Sequence, residues 1–342
     1  MRKMKLIHCS DIHLDSALNT HLTWKEAQAR RKELFSSFTK MILYAEEQGV
    51  RVILIAGDLF DTETVSESTR NMVLSVIREH AGIDFLYLSG NHDEETVFQE
   101  EQVPKNLKLF LGAGRAYRYG NVVITGLNRP NLQDRLRLKE EDINIVMFHG
   151  QIENVQKYAG RNIDYMALGH IHQYGRGRID ERGEYCYCGC LEPRGFDECG
   201  KKGFVLLETG EGHHLTAEFV PFSKRTAYEM KIDISGMKTT PEIYHEILIQ
   251  ARQRATKEDM LSIVLTGKRA AGAEFDVESI ETLLEENYYI VRIKDESDAL
   301  DCAEAKGFEA HFIRLVMESE EEETVKKEII DCALKALHGS KT

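Results

Sequence analysis

Short apolar runs alternate with amphipathic segments along the first two thirds of the chain. Each run has few polar interruptions and stops at Gly, Asp, Asn or His. The runs are KLIHCSD, VRVILIAGD, IDFLYLSGNHD, INIVMFHG and NIDYMALGHIH. Runs of this kind are typical of strands that are buried on both faces of a sheet.

Two segments with helical periodicity connect the first three of these strands. Apolar positions recur with helical spacing over residues 24–48 and over residues 66–80. The first of these segments ends at Gly49. The order of strands and helices predicts a layered α/β domain with a largely buried sheet. Residues 176–222 change to short strands with glycine turns, which predicts a β-rich completion of the same domain.

A second, smaller unit is predicted after the segment PFSKRT. Its pattern predicts strands near 227–234, 261–266 and 288–294, helices near 241–255 and 277–287, and two final helices. We therefore predict a catalytic domain over residues 1–222 and a small α+β cap domain over residues 223–342, for binding a substrate or a partner.

The charge balance bears on which partners the chain can bind. Lys and Arg number 44 against 57 Asp and Glu, so the formal net charge is -13. An acidic chain is poorly suited to tight nucleic-acid binding on its own, although bound cations and local arginine clusters can make one cleft positive.

Cysteine usage and the N-terminal sequence both favour the cytoplasm. The seven cysteines are an odd number and are scattered, which is unlike a secreted disulfide framework. Cys186, Cys188, Cys190 and Cys199 do not have the spacing of a zinc knuckle or ribbon, so we expect no zinc there. The stretch VRVILIAG is too short to cross a bilayer, and the first ten residues lack the apolar core of a signal peptide. We expect a cytoplasmic protein with no membrane contact.

Polar side chains that bind metals follow each of the five apolar strands. They occur as DIH, GDLFD, GNHD, HG and GHIH. In α/β sheets, residues just past the carboxyl ends of the strands face a common crevice. A single strand-end histidine is usually an ordinary surface residue, but five such ends carry nearly every group that a dinuclear site needs. Imidazole, carboxylate and amide oxygen suit divalent ions, and we expect manganese, with iron or zinc as alternatives.

The order Asp-x-His, Gly-Asp-x-x-Asp, Gly-Asn-His-Asp, His-Gly, Gly-His-x-His resembles the calcineurin-like metallophosphoesterase superfamily. Within it, DYMALGHIH followed by YCGCLEPRGFDECGKKGFVLLE resembles the SbcD/YhaO-type DNA repair exonucleases. The resemblance covers about residues 4–222 and implies a β-sandwich flanked by helices.

The resemblance implies seven metal ligands in two groups joined by a bridge. Asp11, His13 and His172 would hold one ion, Asn91, His149 and His170 would hold the other, and Asp58 would bridge them. The two ions would share a hydroxide that attacks phosphorus. If residues 170–172 are extended, His170 and His172 share a face and can each reach a different ion.

The same resemblance implies roles for residues outside the ligand set. His92 would be the general acid that protonates the leaving alkoxide, and Asp61 would be the catalytic carboxylate that orients it. Asp93 is either a further partner of this group or the cap of the following helix.

The substrate is predicted less directly. Arg176, Arg178 and Arg194 follow the last ligands and are candidate contacts for substrate phosphates, with a solvated hairpin as the alternative. The resemblance implies a metal-dependent DNA exonuclease or endonuclease, with an SbcC-like coiled-coil ATPase as partner, and leaves a homodimer open. The alternative function is a phosphatase or phosphodiesterase acting on a phosphoester other than DNA, which the acidic charge favours. A non-enzymatic scaffold would require lost ligands, and all seven are present.

Overall fold

The chain divides into two compact units, Met1–Thr226 and Ala227–Thr342. The structure is a computed structural model that describes residues 3–18, 22–61, 65–93, 97–111, 115–127, 136–270, 272–298, 308–319 and 321–337. The division lies close to the sequence boundary proposed after residue 222. The catalytic and cap roles of the two units stay predictions.

Two sheets of six strands each form the first unit. Their strands are β1 (Lys5–Cys9), β2 (Val52–Ala56), β3 (Asp84–Leu88), β4 (Leu107–Leu109), β5 (Ala116–Tyr119), β6 (Val122–Leu127), β7 (Ile143–His149), β8 (Tyr165–Gly169), β9 (Gly175–Arg178), β10 (Glu184–Tyr187), β11 (Gly203–Thr209) and β12 (Leu215–Pro221). The five strands predicted from apolar runs are confirmed as β1, β2, β3, β7 and β8.

The middle of each sheet is parallel. The first sheet has the order β12-β11-β1-β2-β3-β4, and the second has the order β5-β6-β7-β8-β10-β9. Strands β1 to β4 are parallel to one another, as are β6, β7, β8 and β10. Antiparallel strands complete one edge of the first sheet and both edges of the second. The β-rich segment after residue 175 therefore finishes both sheets.

Two helices connect the first three strands, as the periodicity predicts. They are α1 (Trp24–Glu47) and α2 (Glu67–Glu79). Thr23 and Glu26 form a capping box at the start of α1, and the Ser66 hydroxyl caps α2. Short 3-10 helices occupy Glu100–Gln102 and Val155–Tyr158.

The continuous apolar runs reflect burial on two faces. In β2, Val52, Leu54 and Ala56 pack in the core shared with strands of the second sheet. Ile53 and Ile55 point the other way, into the core formed with α1 and α2. Because both faces are covered, no polar alternation is needed along the strand. The predicted layered sandwich with flanking helices is confirmed.

The second unit contains a three-stranded parallel sheet. Its elements are β13 (Ala227–Asp233), α3 (Thr240–Arg252), β14 (Met260–Thr266), α4 (Val277–Glu285), β15 (Ile290–Asp295), α5 (Phe308–Met317) and α6 (Glu323–Leu337). Residues of α3 and α4 pack with the strands in one apolar core. Over the described residues of both units, no helix has the length and apolar character needed to cross a membrane.

An ion-pair network holds α1 to the end of the first unit. The Glu33 carboxylate accepts hydrogen bonds from Lys224 Nζ at 2.6 Å and from Arg225 Nη2 at 2.6 Å, and Arg30 donates to it as well. Burial raises the pKa of Glu33, but the hydrogen bonds from Arg225 and Lys224 and the charge of Arg30 outweigh burial and lower it from 4.5 to about 2.

We expect Glu33→Gln to lower the free energy of unfolding at pH 7 by about 2 kcal/mol, since charge-assisted hydrogen bonds are lost. The native pKa lies below the unfolded one, so this stabilisation is complete above pH 4.5 and is lost as the pH falls towards about 2. Urea unfolding at pH 7 and pH 3 should therefore show a smaller difference between wild type and variant at pH 3. Glu47→Gln, at an exposed position of the same helix, is the control. An equal loss in both variants would contradict the assignment.

Candidate metal centre

The strand ends of both sheets meet at one place. The imidazole of His149, at the end of β7, donates from Nδ1 to the carbonyl of Ala56, at the end of β2, over 2.8 Å. A carbonyl only accepts, so Nδ1 carries the proton and Nε2 is left to face the candidate site. The predicted residues of the first sheet and those of the second are thereby brought together.

The first group contains Asp11, His13 and His172. In the described part of the chain, one potential ligand atom from each lies within 4.8 Å of the others. The two Nε2 atoms are 3.2 Å apart, and His172 Nε2 is 3.5 Å from Asp11 Oδ1. The Asp11 carboxylate also accepts the backbone N–H of His170 at 3.0 Å. Two imidazoles and one carboxylate therefore converge on a common point.

Asp58 lies between this group and the next. Its Oδ2 is 3.9 Å from His13 Nε2 and 3.2 Å from His149 Nε2. Its Oδ1 accepts the backbone N–H of His92 at 2.9 Å. One oxygen is thus held by the backbone while the other faces both groups, which is the placement that a bridging carboxylate needs.

The second group contains Asn91, His149 and His170. Asn91 Oδ1 is 2.9 Å from His149 Nε2 and 3.0 Å from His170 Nδ1. A further combination, Asp11, Asp58 and His149, also has ligand atoms within 4.8 Å of one another. The structure therefore brings all seven predicted ligands together; their assignment to individual ions stays a prediction.

Four of the predicted ligands adopt positive φ. The values are +50° for Asp11, +51° for His13, +49° for Asp58 and +89° for His170. Such backbone costs roughly 1–3 kcal/mol per residue and is concentrated at functional sites. The expectation of an extended segment over 170–172 is wrong, because β8 ends at Gly169 and the backbone bends at His170.

Three glycines leave room for the ligands. A Cβ on Gly57 would lie 2.2 Å from His149 Nδ1, and one on Gly90 would lie 2.0 Å from Asp58 Oδ1. A Cβ on Gly169 would lie 2.0 Å from the Ala56 carbonyl. These distances are shorter than any non-bonded contact allows. Gly57 and Gly169 are therefore required by the close approach of the two sheets, and Gly90 by the close approach of the turns after β2 and β3 within the first sheet.

Asp93 connects two of the strand-end turns. Its buried carboxylate accepts the backbone N–H groups of Leu59 at 3.1 Å, Phe60 at 2.8 Å and Gly90 at 3.2 Å. It thereby ties the turn after β2, which carries Asp58, to the turn after β3. Residues 94–96, on which the alternative prediction of a helix cap depends, lie outside the described residues.

The structure places Asp61 closer to His13 than to His92. Asp61 Oδ1 is 2.9 Å from His13 Nδ1 and 3.9 Å from His92 Nδ1, and the latter distance is too long for a hydrogen bond. Ser16 Oγ donates to the other Asp61 oxygen at 2.5 Å. Asp61 therefore lies against a predicted metal ligand, and its role towards His92 stays a prediction.

The three arginines predicted to contact phosphate occupy different surroundings. Arg176 donates to the Ala217 carbonyl at 3.3 Å, which links the edge strands of the two sheets. Arg178 donates to the Asp180 carbonyl at 3.1 Å within its own hairpin. Arg194 donates to the carboxylate of Asp61 at 2.8 Å. All three guanidinium groups thus have protein partners, and contact with substrate stays a prediction for each.

Sequence reasoning missed Glu198. Its Oε1 is 2.7 Å from His172 Nδ1, and its side chain is only 3% exposed. Since a carboxylate oxygen only accepts, His172 Nδ1 donates and Nε2 faces the first group. The only signal in the sequence was its position within the stretch LEPRGFDECGKKGF, where no periodicity distinguishes it.

The pKa values of two carboxylates of the centre, Asp58 and Asp61, are lowered. Burial raises the pKa of Asp58, but His149, the N–H of His92 and the charge of His13 outweigh burial and lower it. The pKa of Asp61 likewise falls to about 2, because the contacts with His13, Ser16 and Arg194 outweigh burial.

The imidazoles that face these carboxylates shift in the opposite direction. Burial lowers the pKa of His149, but contact with Asp58 outweighs it and leaves a raised pKa. Burial also lowers the pKa of His172, while Asp11 and Glu198 raise it to about 9. The centre is therefore a strong attractor for positive charge.

Divalent ions fit this set of donors. Imidazole nitrogen, carboxylate oxygen and one amide oxygen are the ligands that manganese, iron and zinc accept. A carbonyl and a carboxylate hold the Nδ1 atoms of His149 and His172, as is usual for metal-binding histidines, and Asp61 Oδ1 lies 2.9 Å from Nδ1 of His13.

Comparison with known proteins agrees with the resemblance seen in the strand-end motifs. The family model of calcineurin-like phosphoesterases matches residues 4–174, which include all seven predicted ligands. The chain is 26% identical to the DNA double-strand break repair protein Mre11 of Sulfurisphaera tokodaii, over 78% of this chain and 75% of that protein. It is 24% identical to Mre11 of Methanopyrus kandleri, over 81% and 68%. It is 28% identical to the metallophosphoesterase YhaO of Bacillus subtilis, over 61% and 58%.

We expect Gly90→Ala to weaken metal binding by at least about tenfold, the scale of outer-shell substitutions, because its Cβ would displace the Asp58 carboxylate. The measurement is calorimetric titration of the metal-stripped protein with Mn²⁺. Gly82→Ala is the matched control, since a Cβ there would meet nothing within 4 Å. Equal affinities for the two variants would show that Gly90 does not set the position of Asp58.

Proposed function

Since the chain belongs to the calcineurin-like phosphoesterase family, we propose that this metallophosphoesterase is a nuclease that cleaves phosphodiester bonds in DNA. The observation that carries the proposal is the position of Asp58 Oδ2 between the imidazoles of His13 and His149. The choice of DNA is supported by relatives that are named as DNA double-strand break repair proteins. Identity to these relatives extends over most of the chain.

Two divalent ions, proposed to be manganese, would be held by the two groups of ligands. Asp11, His13 and His172 would hold one, Asn91, His149 and His170 would hold the other, and Asp58 would contact both. When bound, the ions supply Lewis-acid stabilisation of charge on the phosphoryl oxygens and an activated water. The protein holds the ligands in place through Asp93, Glu198 and the strand-end glycines.

His92 is proposed to protonate the leaving oxygen. Its side chain is 47% exposed, so a substrate can reach it, and its ring centroid is 5.3 Å from that of His13. Its backbone N–H donates to Asp58 Oδ1, which fixes the position of the His92 backbone relative to the carboxylate proposed to bridge the ions. An imidazole in this position can deliver a proton without being a metal ligand.

The acidic composition bears on how DNA would bind. A net charge of -13 opposes the approach of a polyanion, so binding would depend on the bound ions or on a second protein. We therefore include an SbcC-like coiled-coil ATPase as the proposed partner, with a homodimer as the proposed assembly.

His92→Ala should lower the rate of nucleotide release from DNA in Mn²⁺ by about 10²–10⁴-fold, because a general acid is lost. Bound metal, measured by elemental analysis, should stay at the wild-type amount. His245→Ala removes an exposed imidazole from α3 in the second unit and should leave the rate unchanged. Unchanged nucleotide release by the His92 variant would refute its role as the acid.

A nuclease should also bind DNA through the phosphate groups of the DNA, so its KM should depend on salt. We expect KM for single-stranded DNA to rise steeply with salt between about 50 and 200 mM, because counterion release becomes less favourable. KM for a simple aryl phosphodiester should change little over the same range. Hydrolysis of the aryl ester with no cleavage of any DNA form would support the alternative of a different phosphoester substrate.

A further inference from the structure

The guanidinium of Arg194 lies between two carboxylates of the centre. Nη1 donates to Asp61 Oδ1 at 2.8 Å, and Nη2 and Nε donate to Glu198 Oε1 at 2.9 and 3.1 Å. The backbone N–H of Arg194 donates to the other Glu198 oxygen at 2.7 Å. The side chains of Arg194 and Asp61 are 20% and 17% exposed, so the pairs are largely shielded from water.

Each of these carboxylates contacts a different imidazole of the first group. Asp61 Oδ1 is 2.9 Å from His13 Nδ1, and Glu198 Oε1 is 2.7 Å from His172 Nδ1. Arg194 Nη2 itself lies 3.2 Å from His172 Nδ1. The oxygen that contacts each imidazole is also the oxygen that the guanidinium holds.

We propose that Arg194 is a positioning residue for one of the two ions. By holding Asp61 and Glu198 together, it sets the orientation of both His13 and His172, so that their Nε2 atoms meet 3.2 Å apart. This inference rests on the proposed metal centre, and it differs from the prediction that Arg194 binds substrate phosphate. A guanidinium that already donates to two carboxylates has few N–H groups left for a phosphate.

The planar fork of arginine is what the arrangement requires. Two carboxylates in a shielded site repel each other unless a cation lies between them, and a guanidinium can donate to both in fixed directions. A lysine ammonium in the same place would supply charge without that geometry. For the ion proposed to be held by Asp11, His13 and His172, the affinity of Arg194→Lys should therefore be closer to that of Arg194→Gln than to that of wild type.

The second group of ligands is held in a different way. His149 Nδ1 donates to the Ala56 carbonyl, and Asn91 Oδ1 lies against both His149 and His170. Loss of Arg194 should therefore act on one ion and leave the other. This selectivity separates a positioning role from a general loss of stability, which would weaken both sites.

The test is calorimetric titration of metal-stripped Arg194→Gln with Mn²⁺, together with elemental analysis of the loaded protein. We expect one of the two binding events to weaken by about 10–100-fold, the scale of outer-shell substitutions at metal sites, and the other to stay unchanged. Arg118→Gln, which removes a guanidinium paired with Asp142 on the second sheet, is the control and should bind as wild type. Since no substrate is present, the result does not depend on whether DNA is cleaved.

Two results would overturn the inference. The first is unchanged affinity for both ions combined with a raised KM for phosphodiester, which would return Arg194 to substrate binding. The second is equal weakening of both ions. If the Arg194→Gln chain does not fold, Glu198→Gln tests the same connection, because it removes the acceptor shared by Arg194 and His172, and the same selective loss is expected.

Discussion

The carboxylate of Asp58 lies between imidazoles contributed by both sheets, and the geometry of the centre depends on where its two oxygens point. Oδ1 accepts the backbone N–H of His92, so Oδ2 faces His13 and His149. This placement is set by the backbone, because Asp93 joins the two neighbouring turns through three N–H groups. The position that the proposed bridge requires therefore follows from the way parallel strands end, more than from the flexibility of the Asp58 side chain.

The sequence alone predicted the layers, and it predicted which residues come together at the candidate site, because both depend on local patterns. Strands buried on two faces appear as continuous apolar runs, and ligands cluster where such runs stop. Strand β6 (Val122–Leu127) was missed although it is fully buried. The three strands of the second unit were predicted, but their parallel order was not, since register is a property of pairing and not of one segment.

The contacts between side chains could not be predicted, because they depend on distances between segments far apart in the chain. Asp61 Oδ1 lies 2.9 Å from His13 Nδ1 and 3.9 Å from His92 Nδ1, and no local pattern in the sequence encodes a difference of that size. The bend at His170 has the same origin, since a positive φ at a non-glycine residue leaves no periodic signal. Local chemistry predicts which residue types meet, while the tertiary fold decides which atoms meet.

The charge of the centre connects the acidic composition to the proposed chemistry. Asp11, Asp58, Asp61 and Glu198 lie close together, and the pKa values of the last three are lowered, so they stay anionic at neutral pH. One guanidinium, that of Arg194, contacts two of them. The remaining negative charge favours divalent cations and would repel a polyanion before they bind. Under the proposed function, the cations would therefore have to be in place before a polyanionic phosphodiester could approach the centre.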